Sequence, residues 1–124
     1  IVSLHAPSLP STRHLIDRRR LGLIRDGATL INTARGALLD HVALTDELVS
    51  GRINAILDVT EPAALPADSP LWTLPNVVLT PHMAGALGVE LERMGSYAVD
   101  ELARYVAGQP FRSPVTRADL DRIA

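Results

Sequence analysis

An arginine and a histidine frame the chemistry open to this sequence: Arg35, within Asn32-Thr33-Ala34-Arg35-Gly36, and His82, within Thr80-Pro81-His82. Each follows a short apolar run. A guanidinium can grip a carboxylate through two parallel hydrogen bonds, and a glycine beside it lets another backbone approach closely. Imidazole is the side chain best suited to proton transfer near neutrality, and Ala84, Gly85 and Ala86 leave space beside the ring. Two carboxylates extend the set. Asp58 closes a third apolar run, where it can accept a hydrogen bond from a ligand amide. Glu61 stands three residues on, followed by Pro62. Taken singly, each of these is an ordinary surface, loop or capping residue. Their shared position just past apolar runs argues for an enzyme site. His5 is read as lining the same cleft, and His14 and His41 as structural. The histidines have no metal-ligand spacing, so no metal site is expected.

Four apolar runs must position these groups: residues 1–4, 28–31, 53–57 and 77–79. If they are parallel strands, their carboxyl ends share one edge, where open α/β sheets bind ligands. The first run is apolar enough for a strand covered on both faces. Asp17 is placed to cap a short helix over 18–24 that turns Leu21 and Ile24 inward, with Gly27 as its stop. Asp40 caps a second helix, ended by Gly51, whose buried stripe is Val42, Ala43, Leu44, Leu48 and Val49. Residues 60–75 form a long Pro-rich connection pinned by Leu71 and Trp72. A long helix over about 87–107 carries Leu91, Met94, Ala98, Leu102 and Tyr105 or Val106 at inward spacing. Gly108 and Pro110 close it, and a last short helix follows Ser113-Pro114. Strand–helix alternation predicts an α/β fold with a parallel sheet. The third crossover has no proper helix and is the weakest link in that scheme.

At 124 residues the chain is one domain or a piece of one. It begins directly inside a strand-like run, so a longer parent protein is expected. A formal charge of −2 and 3% aromatics give neither an electrostatic nor a stacking case for nucleic acid. Arg18-Arg19-Arg20 reads as a solvated helix face. No cysteine is present, so disulfides and thiolate metal sites are ruled out and a cytoplasmic location fits. No apolar stretch reaches the roughly 18 residues of a membrane span. The phosphate-cradling G-x-G-x-x-G turn, a Walker A loop and a G-x-S-x-G elbow are all missing from these residues.

Four ordered stretches nevertheless resemble the D-isomer-specific 2-hydroxyacid dehydrogenases, the group of phosphoglycerate dehydrogenase and hydroxypyruvate or glyoxylate reductases. They are Val2-Ser3-Leu4-His5-Ala6-Pro7, then Leu30-Ile31-Asn32-Thr33-Ala34-Arg35-Gly36-Ala37-Leu38-Leu39-Asp40, then Ile56-Leu57-Asp58-Val59-Thr60-Glu61-Pro62, and last Leu74-Pro75-Asn76-Val77-Val78-Leu79-Thr80-Pro81-His82-Met83-Ala84-Gly85. The resemblance implies the later half of a Rossmann-type parallel sheet with flanking helices, ending in a long C-terminal helix. Residues 1–124 would be a partial NAD-binding domain, without the Gly-rich first βαβ unit and without the separate substrate domain. The implied reaction is hydride transfer between NADH, or NADPH, and the C2 carbonyl of a small 2-keto acid. Arg35 would hold the substrate carboxylate and polarise the carbonyl, and His82 would be the acid/base. Ala6, Thr33, Ala34, Arg35, Asp58, His82 and Gly85 would line the nicotinamide end of NAD. A cytoplasmic homodimer is implied for the complete protein, with no membrane or nucleic-acid partner. Alone, the chain is expected to bind NAD weakly or not at all.

One position departs from the family pattern. The carboxylate that usually partners the histidine falls, without gaps, on Ala63, and Glu61 is two residues early. Either Glu61 swings in as the third catalytic group or the histidine lacks a partner. An imidazolium without that neighbour is less favoured, so reduction is then expected to speed up toward lower pH. The departure also admits a second reading, a non-catalytic NAD-binding or corepressor-like module. A flavodoxin-type receiver domain is a third, but it predicts an acidic cluster where this chain has Leu4-His5-Ala6.

Overall fold

The computed structural model describes residues 1–120 and 122–123. It separates into two compact units, Ile1–Ala84 and Gly85–Ile123. In the first unit, strands β1 (Val2–Leu4), β2 (Thr29–Asn32), β3 (Asn54–Leu57) and β4 (Val77–Leu79) form one parallel sheet in sequence order. Leu4 pairs with Asn32, Asn32 with Leu57, and Leu57 with Leu79. The strand ends are therefore level, and the segments after them share one edge.

Side chains alternate across a strand, and β2 and β3 each read half-buried, buried, half-buried, buried. Leu30, Ala55 and Leu57 meet Leu21 from α1 (Arg18–Leu21) and Leu44 and Leu48 from α2 (His41–Val49) in one apolar cluster. Both helices thus serve one face of the sheet, and Thr29, Ile31, Asn54 and Ile56 on the other face stay half-buried. Each fully buried leucine contributes about 1.5–3 kcal/mol. The expectation of full cover on both sides of β1 is not met within this unit, where Ser3 is exposed and Leu4 buried.

The helix N-caps fall where the sequence puts them, but α1 ends at Leu21 with Gly22 as its C-cap, short of the expected helix over 18–24 stopped by Gly27. Asp17 accepts from the Arg20 amide at 2.8 Å and Asp40 from the Ala43 amide at 3.0 Å. Each cap is worth about 1 kcal/mol. The carbonyls that end α1 are met by Arg52, which donates to Leu21 O at 2.8 Å and Ile24 O at 2.5 Å while Glu47 holds its Nε. The stripe on α2 is narrower than expected. Ala43, Leu44 and Leu48 are buried, but Val42 and Val49 are exposed. At roughly 100° per residue, those valines fall on the side of the helix away from Leu44.

The third crossover contains only a 3-10 turn, Pro70–Trp72. Leu71 pins it to the core, whereas Trp72 stays 55% exposed with its indole N–H on Pro66 O. Asn76 then ties the entry to β4 by donating to Leu48 O and Ile53 O at 2.9 and 2.8 Å. At its start this crossover lies directly on Gly36. A Cβ there would sit 2.2 Å from Thr60 O. Gly36→Ala is expected to force that backbone off its seat and cost about 1–3 kcal/mol, read as a lower urea midpoint with an unchanged m-value.

The second unit holds α3 (Val89–Val106) and a 3-10 turn, Arg117–Asp119. Its tail folds back on the helix end. The Tyr105 and Phe111 rings stack with centroids 6.0 Å apart, and Arg104 Nε donates to Pro110 O at 2.8 Å. The stripe expected to face inward, Leu91, Met94, Ala98, Leu102, Tyr105 and Val106, is exposed. The reason is architectural: no second helix or strand is among the described residues of this unit. Among those residues, no helix is long and apolar enough to cross a membrane.

Candidate active site

Arg35 is set by the residue that ends β2. Asn32 is fully buried, so both ends of its amide need partners. Its Nδ2 donates to Arg35 O at 2.9 Å, and its Oδ1 accepts from the Ala34 amide at 3.1 Å. This loop fixes the Arg35 backbone in an extended conformation, with the close Gly36–Thr60 contact immediately after it. The exposed guanidinium gives one N–H to Ala34 O at 2.7 Å. No other hydrogen bond from it occurs among the described residues, which leaves donors for an anion.

His82 is set by Asp58. The Asp58 carboxylate, 4% exposed, accepts from the Thr80 hydroxyl, from the Met83 amide at 2.8 Å and from the Ala84 amide at 2.9 Å. It thereby grips the chain on both sides of His82. Between those points His82 has φ +56, in the left-handed region that few non-glycine residues adopt. Its amide donates to Thr80 O at 3.0 Å and its ring is exposed. Burial works to raise the Asp58 carboxyl, but the Thr80, Ala84 and Met83 hydrogen bonds and the nearby His82 charge outweigh it and hold it below the ordinary 3.8.

Arg35, Asp58, Thr80 and His82 line a single cavity of about 590 Å³, with Ala63 and Trp72 among its apolar walls. Arg35 and His82, 47 residues apart in sequence, thus border one space. Of the other expected site residues, Ala6, Thr33 and Ala34 follow the ends of β1 and β2 at the same sheet edge, and Gly85 opens the second unit. His5 is hydrogen-bonded to Ser3 at 2.8 Å and is not a wall of the cavity. No group of three or more potential metal ligands occurs among the described residues.

Glu61 is placed differently from the expectation that it swings toward His82. Its carboxylate pairs with Arg13 at 2.9 Å, and its amide donates to His41 Nε2 at 3.2 Å. Held at backbone and side chain, it makes no hydrogen bond to His82. Ala63, which does line the cavity, brings no charge. Three supporting residues went unassigned in the sequence reading: Asn32, Thr80 and Arg13. The first two stand beside Arg35 and His82 in the same motifs, which was the available signal. Arg13 lies 48 positions from Glu61 and gave none.

Two buried titrations predict the acid response. His41 is pushed below its usual 6.5 chiefly by burial and by His14, against the Gly36 carbonyl, Glu61 and Asp40. For a group whose folded pKa is depressed, the unfolded chain takes up protons first. Stability is therefore expected to be highest above pH 6.5 and to begin falling as the pH drops through it. The Asp58 contribution, intact above 3.8, is lost in a second decline below that value. Urea unfolding across a pH series checks both steps.

A parallel α/β layer with an arginine, a carboxylate and a histidine gathered at its carboxyl edge is a Rossmann-type arrangement, a class of fold that binds ligands at its strand ends. Comparison with known proteins gives the lineage. The family model described as D-isomer specific 2-hydroxyacid dehydrogenase, NAD binding domain, matches residues 1–84. Glyoxylate/hydroxypyruvate reductase B of Pectobacterium atrosepticum is 45% identical over 104 residues, covering 83% of this chain and 32% of that protein. The TT0316 protein from Thermus thermophilus superposes with a TM-score of 0.84 at 46% identity, covering 93% of this chain and 37% of its own. A D-isomer specific 2-hydroxyacid dehydrogenase from Xanthobacter autotrophicus Py2, solved with NADPH and MES, gives 0.80 at 39% identity, covering 93% and 47%. The chain spans about a third of the length of that curated relative. It belongs to the D-isomer specific 2-hydroxyacid dehydrogenase family, within its NAD-binding domain.

Proposed function

We propose that this chain is the partial NAD-binding domain of an enzyme that reduces a small 2-keto acid to the D-2-hydroxy acid with NADH or NADPH. The observation that carries the reading is the shared cavity of Arg35 and His82. Arg35 has guanidinium donors to spare, so it binds the substrate carboxylate and polarises the adjacent carbonyl. His82 gives its proton to the oxygen that becomes the hydroxyl. The residues present fit the nicotinamide end of the cofactor. A carboxylate has about four acceptor directions, and Asp58 uses three, so one remains for an amide N–H. Ala6, Thr33 and Ala34 would line the same end, and Gly85 is assigned there by resemblance alone. When bound, the cofactor supplies the hydride.

The relatives named for glyoxylate and hydroxypyruvate support those two acids as first substrates. The family resemblance also implies a cytoplasmic homodimer for the complete protein, which sedimentation of that protein checks. The corepressor-like alternative is favoured by Ala63, which leaves His82 without its usual carboxylate. The deciding experiment follows NADH consumption by the complete protein with glyoxylate and hydroxypyruvate. NADH consumption with either acid, with D-glycerate as the product from hydroxypyruvate, supports the enzyme, and NADH binding without turnover supports the alternative.

A further inference from the structure

His41 opens α2 and reaches the crossover backbone that lies on Gly36. Its Nε2 accepts a hydrogen bond from the Glu61 amide at 3.2 Å, while its buried Nδ1 makes no well-formed hydrogen bond among the described residues, although the Gly36 carbonyl is near enough to favour a proton on the ring. A ring nitrogen that accepts carries no proton, so in the neutral ring the proton sits on Nδ1. The Thr60-Glu61 peptide that His41 holds is the same backbone that lies on Gly36. The Glu61 carboxylate is tied separately to Arg13. The crossover is thus clamped at two points over the residue that follows Arg35.

We propose that His41 is a positioning residue for Arg35: its neutral ring fixes the Thr60-Glu61 peptide over Gly36 and so keeps the guanidinium at its place on the cavity wall. The role of Arg35 in substrate binding rests on the function proposed above, but the clamp itself does not. Charging the ring turns Nε2 into a donor facing another donor, and the clamp opens. The groups facing the ring set when this happens. Glu61 and Asp40 favour the charged form, as does the Gly36 carbonyl. His14 and burial oppose it, and Arg13 offsets part of the Glu61 charge.

The test has two arms. In this chain, proton–nitrogen NMR follows the amides of Gly36 and Glu61 from about pH 8 to 5, the range in which histidine titrates. Both are expected to move with the His41 ring through one midpoint below 6.5. In His41→Leu the transition disappears and the Glu61 amide exchanges with water at least tenfold faster, whereas His41→Gln restores an acceptor and the protection. Amide signals indifferent to His41 ionisation overturn the proposal, and this arm needs only the parent chain if His41→Leu fails to fold. In the complete dehydrogenase, His41→Leu is expected to raise KM for the 2-keto acid roughly tenfold, the scale of one net hydrogen bond, with little change in kcat. His41→Gln is expected to recover most of it. A fall in kcat at unchanged KM contradicts the positioning role. If the complete protein shows no turnover, the proposed function fails, and the amide titration still decides the clamp.

Discussion

Replacing His82 with alanine in the complete protein is expected, on the proposed function, to lower kcat by about 10²–10⁴-fold, the range a positioned proton donor supplies, with KM for the 2-keto acid nearly unchanged. The asymmetry follows from the way the site is built. The ring is exposed and makes no side-chain hydrogen bond among the described residues, so its removal leaves no buried group without a partner. Asp58 holds the turn through the Thr80 hydroxyl and the Met83 and Ala84 amides, none of which belongs to His82. Alanine in place of a strained left-handed histidine changes folding stability little, because the turn is dictated by its neighbours. Steady-state kinetics with NADH saturating separates the two parameters. A rise in KM at unchanged kcat would assign His82 to binding.

Arg35→Ala is expected to cost about 2–5 kcal/mol of kcat/KM, the loss on truncating one partner of a desolvated charge pair. Here KM carries much of the effect. The Arg35 backbone is fixed by Asn32, and its side chain gives the protein a single hydrogen bond to Ala34 O. Nothing in the core depends on it, so thermal stability is expected to hold within about 0.5 kcal/mol. Arg35→Lys keeps the charge but not the two-pronged geometry, and is expected to recover only part of the loss. Full recovery by lysine would mean that charge alone, not paired hydrogen bonding, holds the carboxylate. Measuring kcat/KM and Tm on the same preparations makes that comparison.

The fold was readable where a single local rule governs. Strand runs bounded by polar clusters gave β4 with its ends and β2 to within one residue, and Asp17 and Asp40 gave the starts of two helices because a side-chain acceptor meets an unpaired amide within three residues. Reading went wrong where tertiary partners decide. Val42 and Val49 looked as apolar as Leu44, yet helix geometry turns them to solvent. Trp72 looked like an anchor, but its neighbour Leu71 fills that role. The spacing on α3 was helical as expected, but spacing alone says nothing about what covers a face.

The site followed the same division. Arg35, Asp58 and His82 stand out as candidates in the sequence because each follows a strand run, and parallel strands bring the segments after their ends together. Glu61 was visible as a carboxylate in the right stretch, but its partner Arg13 is a contact made only by folding. His41 was read as structural. Its link to the Glu61 amide depends on how α2 meets a crossover 20 residues away, and no sequence spacing encodes that.

The most direct test is a crystal structure of the complete protein with NADH and oxamate, an unreactive mimic of a 2-keto acid. The oxamate carboxylate should lie on the Arg35 guanidinium, with its keto-like oxygen about 2.6–3.2 Å from a His82 ring nitrogen. Oxamate bound away from this cavity, or the two side chains facing different spaces, would contradict the assignment.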